Sequence, residues 1–160
     1  RVFGVLDEPE GGVLVGVADG LGDKRELRFA TAGLVLEPLG PEHNERDHAA
    51  WMSSIEHIHA TPGFERRRWP QPMTLEENLR DLEAHRAEFE ERSAFAYSVL
   101  DPGTDDVIGC VYVDPAPSGD GALVRTWVRA SHAHLDATLR EAVVAWLERD
   151  WPLASVTYGP

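Results

Sequence analysis

The chain has 160 residues, of which 42% are hydrophobic, enough apolar material for a single folded domain and too much for a disordered chain. Its formal net charge of −13 makes polyanions poor partners, since phosphate backbones are bound by clustered Lys and Arg. We therefore expect neither nucleic-acid binding nor attachment to an anionic membrane surface.

The single cysteine, Cys110, lies in the apolar run "VIGCVYV" and can form no internal disulfide, which is typical of a reducing compartment. No apolar run reaches the roughly 20 residues needed to cross a bilayer, and no signal peptide opens the chain. We therefore expect a soluble, cytoplasmic protein in which Cys110 is a small core residue. Because the chain begins at Arg1 without an initiator methionine, we leave open whether a further segment precedes it.

Residues 1–33 alternate short apolar runs such as "GGVLVGVA" with Gly- and Asp-rich segments, a pattern typical of short strands and turns. We predict a β-rich N-terminal extension over 1–33 that either joins the main sheet or forms a mobile arm. The main domain is predicted over 34–160. Its first strand is "LVLEPL", which ends at Gly40 and Pro41.

Two helices are predicted next. From about Asp47 to His59 a helix is indicated by apolar residues at helical spacing, namely Trp51, Met52, Ile55 and Ile58. The prolines and glycine of "TPGFERRRWPQP" then predict a loop. Thr74 can cap the second helix and Glu77 can complete a capping box. The predicted inner face of this helix consists of Leu75, Leu79, Leu82 and Phe89.

The second half of the chain is predicted to be mostly strands. "FAYSVL" and "VIGCVYV" form a hairpin across "DPGTDD", and "ALVRTWVR" is the next strand. A short turn, "ASHAH", leads into an amphipathic helix, and "ASVTYG" supplies the last strand. The apolar stripe of that helix is Leu135, Leu139, Val143, Trp146 and Leu147. Antiparallel strands beside helices indicate an α/β (α+β) domain.

This order of elements, with the run from "FAYSVLDPGTDDVIGCVYV" through "VRTWVRASHAHLDATLREAVVAWLERDWP", resembles the GNAT superfamily of acyl-CoA-dependent N-acetyltransferases. The segments "LGPEHNERDHAAWMSSIEHI" and "WP…MTLEENL" resemble its bacterial members in particular. The resemblance covers about Leu34 to Pro160. It implies a twisted mixed, mostly antiparallel sheet with helices on both faces. It also implies an acyl-pantetheine arm between the strands at Ala122–Arg129 and Ser155–Tyr158.

The turn after "ALVRTWVR" departs from the family's pattern. Members usually carry Arg or Gln, two residues, Gly, one residue, then Gly or Ala, because glycine amides can approach a pyrophosphate closely. Counting from Arg129 gives "RASHAH", with histidines in the glycine places. The resemblance implies acetyl-CoA as co-substrate at this helix N-terminus. The predicted cofactor-binding residues are Trp127, Val128, Arg129, Ser131, His132 and His134.

Acetyl transfer to an amine needs a base for the ammonium group and an acid for the departing thiolate. The residues near the ends of the strands that would line the cleft are Tyr112, Asp114 and Tyr158, and we predict these as catalytic. The histidine pairs spaced i, i+2 have no adjacent carboxylate or cysteine set, so no metal site is predicted.

Together these features predict an N-acetyltransferase that moves an acetyl group from acetyl-CoA to a small-molecule amine without a metal. The alternative is a non-catalytic GNAT-fold binding or oligomerisation module whose CoA-phosphate turn is degenerate. A third hypothesis is that the chain is part of a larger protein whose upstream sequence carries the activity. Homodimer formation is left open.

Overall fold

The computed structural model describes residues 29–31, 33–117 and 119–159, which form a six-stranded sheet in the order β1 to β6. Neighbouring strands are antiparallel except β5 and β6, which are parallel. The strands are β1 Phe29–Thr31, β2 Leu34–Pro38, β3 Phe95–Leu100, β4 Val107–Pro115, β5 Gly121–Val128 and β6 Ser155–Tyr158. The helices are α1 Asn44–Met52, α2 Ile55–His59, α3 Leu75–Glu91 and α4 Asp136–Asp150, with 3-10 helices at Pro41–His43 and Ala130–Leu135.

Alternate side chains of the sheet enter two cores, and helices cover both faces, so the predicted fold class is confirmed. The α4 face includes Tyr97, Val111, Val124, Val128, Leu139, Val143 and Trp146. The opposite face, which we call the α1–α3 face, includes Trp51, Ile58, Phe64, Leu82, Cys110, Tyr112 and Trp127. Cys110 is thus a buried core residue, as predicted.

The sheet has a step at its β6 end. The last β5–β6 pair is Val124 with Tyr158, and the Gly159 amide then donates to the Val124 carbonyl at 2.9 Å. β5 continues to Val128, so its segment Arg125–Val128 extends beyond the paired part of β6. Of the predicted N-terminal extension, β1 pairs with β2, and 1–28 lies outside the described residues.

The helix predicted over 47–59 is in fact two helices. The chain leaves helical geometry at Ser54, whose φ is −136°, and the Ser53 hydroxyl donates to the Ala50 carbonyl at 2.9 Å. A short serine side chain competes for backbone groups in this way and favours helix ends. Of the apolar residues that indicated the helix, Trp51 is fully buried, whereas the Met52 side chain is 36% exposed.

The capping box of α3 is confirmed. The Glu77 amide donates to the Thr74 hydroxyl at 3.0 Å, and the Thr74 amide donates to the Glu77 carboxylate at 2.9 Å. The predicted inner face is wrong at Leu75, which is 45% exposed, because Asn78 points inward instead and bonds to side chains of α1.

Replacing Thr74 by Ala should lower the free energy of unfolding by about 1 kcal/mol, because the Glu77 amide loses its acceptor. Urea unfolding monitored by circular dichroism measures the change. Glu83→Ala, at an exposed position of the same helix, is the control and should change stability by less than about 0.5 kcal/mol. Equal values for the two variants would show that the box does not stabilise α3.

Candidate active site

A cavity of about 520 Å³ opens on the α1–α3 face of the sheet, a size typical of small-molecule sites. Tyr112 of β4 and Arg125 of β5 form its base, and α1, α3 and the loop between α2 and α3 supply its walls. The other ionisable residues that line it are Asp47, Arg67, Arg68, Asp81, His85 and Glu88. Apolar walls with several converging polar groups make this cavity the candidate active site.

Aromatic residues build one wall of the cavity. Trp69 lines it and lies between Trp51 and Trp127, with ring centroids 5.4 and 6.1 Å away. Phe64 packs 6.0 Å from Trp69 and also lines the cavity. Trp51 and Trp127 are fully buried, so the half-buried Trp69 ring connects the cavity to the core.

Asp47 is a buried carboxyl group of the site with a raised pKa. It is 4% exposed, and its Oδ2 accepts a 3.1 Å hydrogen bond from Asn78 Nδ2. Asn78 is itself fixed by Trp51, whose Nε1 donates to Asn78 Oδ1 at 3.1 Å. Burial raises the pKa of Asp47 from 3.8 to about 6, although the Asn78 hydrogen bond opposes the shift. A carboxyl group that titrates close to neutral pH is suited to proton transfer.

Two of the three predicted catalytic residues lie at the base of the cavity or just beside it. Arg125 donates to Asp114 at 3.0 Å, with both side chains 5% exposed. The same guanidinium lies 5.0 Å from the Tyr112 ring centroid, and Trp127 Nε1 donates to the Tyr112 hydroxyl at 3.2 Å. Burial raises the pKa of Tyr112 well above its usual range, so its hydroxyl stays protonated. Asp114 holds Arg125 in place.

The third predicted catalytic residue, Tyr158, lies on the α4 face. Its hydroxyl is 2.7 Å from the Thr126 hydroxyl, and Arg140 lies over its ring at 5.6 Å. Because Tyr112 belongs to the core of the α1–α3 face, the sheet separates it from Tyr158. The structure therefore brings Tyr112 and Asp114 together and leaves Tyr158 apart.

The predicted cofactor turn forms the 3-10 helix Ala130–Leu135, which continues into α4. The Ala130 amide donates to the Ser54 hydroxyl at 2.8 Å, and the His132 amide donates to the Arg129 carbonyl at 2.8 Å. Ser131 and His134 are exposed, and the His132 and His134 rings stack with centroids 6.1 Å apart. Trp127 and Val128 are fully buried, so they can meet a ligand only through their backbone.

An interaction that the sequence did not predict joins α2 to the same turn. His57 Nε2 lies 2.9 Å from Asp136 Oδ2, at the first residue of α4. A carboxylate in a helix's first turn interacts favourably with the positive end of the macrodipole. The His57–Asp136 contact and the Ser54 hydrogen bond together attach α2 to the turn at two points.

The described part of the chain has the fold of solved acetyltransferases. An acetyltransferase from Salmonella typhimurium that modifies the N-terminal serine of ribosomal protein L7/L12 matches with a TM-score of 0.62 and 12% identity, over 80% of this chain and 71% of that chain. The ribosomal-protein-S5-alanine acetyltransferase from Vibrio fischeri gives 0.58 and 16%, over 77% and 68%. The microcin C7 self-immunity acetyltransferase MccE, solved with acetyl-CoA and AMP, gives 0.59 and 11%, over 74% and 63%.

At these identities the likeness establishes the fold, and the resemblance to the GNAT superfamily is confirmed at that level. No family model and no curated protein matches the sequence. The residues of this chain must therefore carry the argument about its function.

The side chains of the turn include hydrogen-bond donors of the kind that bind a phosphate. Arg129, Ser131, His132 and His134 are at least partly exposed there and can donate hydrogen bonds. Among the described residues, Arg129 makes one side-chain hydrogen bond, a 3.4 Å contact with the Val107 carbonyl, so guanidinium donors remain for a phosphate. The Ala130 amide is already used by Ser54, so a glycine-type backbone cradle is not reproduced here.

Among the residues that the structure describes, no group of three or more His, Cys, Asp or Glu is arranged to hold a metal ion. The helices of the described ranges include none with the length and apolarity that a bilayer crossing requires.

Sequence reasoning missed Asp47, Asn78 and His85, all of which line the cavity. Each lies in a strongly charged helical segment, where an ionisable residue is expected to face solvent. The only available signal was Asn78 on the apolar side of α3, four residues before the buried Leu82. Its partner Asp47 is 31 residues away and has no local signature.

Replacing Asp47 by Asn should stabilise the protein at pH 7.5 by up to about 3 kcal/mol, because ionising a carboxyl whose pKa is raised from 3.8 to about 6 costs 1.36 kcal/mol per unit. The folded protein binds the extra proton, so wild-type stability falls as the pH rises through 4 to 6. The gain from Asp47→Asn should disappear near pH 4.

Urea unfolding of both proteins at pH 4 and pH 7.5 measures this difference. Asp81→Asn, at an exposed residue of the same cavity, is the control and should show no pH-dependent gain. A constant difference between wild type and Asp47→Asn at both pH values would contradict the raised pKa.

Proposed function

We propose that the protein is an N-acyltransferase that uses acetyl-CoA as donor and a small amine as acceptor. The observation that carries this proposal is the cavity with Asp47, a buried carboxyl group whose pKa of about 6 suits removal of an ammonium proton. The cavity lies on the sheet of an acetyltransferase fold and includes Arg125, where β5 passes the end of the β5–β6 pairing.

The step in the sheet supports a donor site beside β5. The β5 segment Arg125–Val128 extends beyond its last pair with β6, and the backbone of Trp127 and Val128 is available to an extended ligand arm there. The 3-10 turn follows directly, where Arg129, Ser131, His132 and His134 would contact the phosphates. The positive end of the α4 macrodipole and the Arg129 guanidinium favour this anionic end.

The acceptor amine would occupy the cavity on the α1–α3 face. Bound acetyl-CoA supplies an acyl thioester; a bond forms from the amine nitrogen to the acyl carbon, and the carbon–sulfur bond breaks. Asp47 accepts the ammonium proton, directly or through one water. Tyr112 keeps its proton and orients the acceptor by hydrogen bonding, with Arg125 positioned by Asp114. The nitrogen loses its second proton as the carbon–sulfur bond breaks, and this proton passes to the departing thiolate. Tyr158 lies on the α4 face, so it stays outside this assignment.

Acetyl-CoA should raise the unfolding midpoint of the protein by roughly 5–10 °C at about 100 times its dissociation constant. Arg129→Ala should weaken binding by roughly 1.5–3 kcal/mol, since it removes a charged hydrogen bond. Arg149→Ala, at an exposed position near the far end of α4, is the matched control and should bind like wild type.

ATP serves as the anion control in the same thermal scans. A shift with acetyl-CoA alone supports a donor site, whereas equal shifts with both compounds would reduce the site to general anion binding. An unchanged affinity in Arg129→Ala would remove this residue from the donor site.

Asp47→Asn should lower kcat/KM for amine acetylation by at least about 100-fold, because general base catalysis contributes factors of that order. Release of the CoA thiol measures turnover, and the acetyl-CoA-induced thermal shift shows that the donor still binds. The kcat/KM of the wild-type protein should depend on a group with a pKa near 6, and this dependence should be absent in Asp47→Asn. Unchanged turnover in Asp47→Asn would assign the base to another residue.

The second candidate is a non-catalytic GNAT-fold binding module. The engagement of the Ala130 amide by Ser54 favours it, because this amide belongs to the turn that would hold the phosphates. A protein without a thermal shift at millimolar acetyl-CoA, and without turnover on any amine, would match this candidate.

A further inference from the structure

The loop between α2 and α3 carries three consecutive arginines, Arg66, Arg67 and Arg68, in a chain with 28 acidic residues against 15 Lys and Arg. Arg67 and Arg68 line the candidate active site. Arg66 and Arg67 line a neighbouring, more open cavity of about 540 Å³ that also includes Gly63 and Gly159. With three arginines against one acid, Glu65, the loop carries net positive charge beside the site.

Two of these arginines are not used for folding within the described part of the chain. Arg66 and Arg68 are exposed, and neither makes a hydrogen bond or an ion pair with another described residue. Arg67 is different, because its Nε donates to the Gly63 carbonyl at 2.7 Å and fixes the loop. Holding an unpaired guanidinium at the mouth of a cavity suits recognition of an anion.

The carboxyl groups and the arginines that line the cavity come from different elements of the structure. Its carboxyl groups, among them Asp47 and Glu88, come from α1 and α3. Its arginines come from the connecting loop and β5, and Arg125 of β5 is already paired with Asp114. Among the described residues that line the cavity, Arg68 is an exposed arginine without a hydrogen-bond or ion-pair partner, while the α1 and α3 walls contribute the carboxyl groups together with His85. A ligand that satisfies both parts needs a positive and a negative group.

We infer that the acceptor is an amine that also carries a carboxylate, with the amine toward Asp47 and the carboxylate held by Arg68 at the cavity mouth. This inference rests on the proposed function for the transfer step. The recognition of the carboxylate does not depend on catalysis, so it can be measured without the donor. The carboxylate could belong to a free amino acid or to an acidic residue close to the N-terminus of a peptide, and both present the same chemistry.

The test compares matched acceptors that differ only in the carboxylate. One pair is 5-aminopentanoate and pentylamine; the other is a hexapeptide with Asp or Asn at its second position. Binding of each compound to the protein without donor is measured by calorimetry, and turnover with acetyl-CoA by release of the CoA thiol. The member of at least one pair that carries the carboxylate should bind about tenfold or more tightly than the member that lacks it. The pair that shows the preference identifies the source of the carboxylate.

Arg68→Ala should remove this preference while leaving the affinity for the member without the carboxylate unchanged, and Arg68→Lys should restore part of it. Arg80→Ala, on the exposed side of α3 and paired with Glu76, is the control and should keep the wild-type preference. Equal binding of both members of both pairs, or a preference that survives in Arg68→Ala, would overturn the inference. Preferred binding without turnover would instead reject the proposed transfer and keep the carboxylate site.

Discussion

The constraint on which the structure depends is that the central strands are covered on both faces. Every side chain of β4 is buried, and seven of the eight residues of β5 are as well. A polar side chain on these strands cannot reach bulk water, so it must be paired inside the protein or meet the cavity. Arg125 and Asp114 satisfy each other, and the Tyr112 hydroxyl accepts from Trp127. The base of the candidate site is a direct result of this requirement.

A buried ion pair contributes little net stability, since desolvation offsets the attraction between its charges. Its effect here is on position. With Asp114 holding one end, the Arg125 guanidinium lies 5.2 Å from the Phe64 ring and 5.0 Å from the Tyr112 ring. The loop between α2 and α3 is thereby packed against the sheet at the point where Arg68 lines the cavity. The buried Arg125–Asp114 pair in the sheet thus helps to position the arginine-rich loop at the edge of the cavity.

Much of the fold could be predicted from the sequence, because local signals coincide with the elements. The capping box at Thr74, the alternation along β5 and the apolar stripe of α4 all depend on neighbours within a few residues. The break between α1 and α2 was missed, since the period of the apolar residues continues across Ser53 and Ser54.

The candidate site was less accessible to the same reasoning. Tyr112 and Asp114 could be selected from their place near the end of a predicted strand. Asp47 could not, because its burial and raised pKa arise from contacts with α3, which the spacing within α1 does not reveal. The face on which Tyr158 lies depends on its register with β5, and that register is set by the parallel β5–β6 pairing.

The aromatic wall of the cavity has an optical consequence. The protein has five tryptophans, and three of them, Trp51, Trp69 and Trp127, form one cluster in which only Trp69 reaches the cavity. Trp146 and Trp151 lie in the core of the α4 face. The Trp69 ring centroid lies 5.4 and 6.1 Å from those of Trp51 and Trp127, so a ligand in the cavity changes the surroundings of the half-buried member of this cluster. The chain therefore contains its own fluorescent reporter for occupancy of the cavity, at the residue next to Arg68.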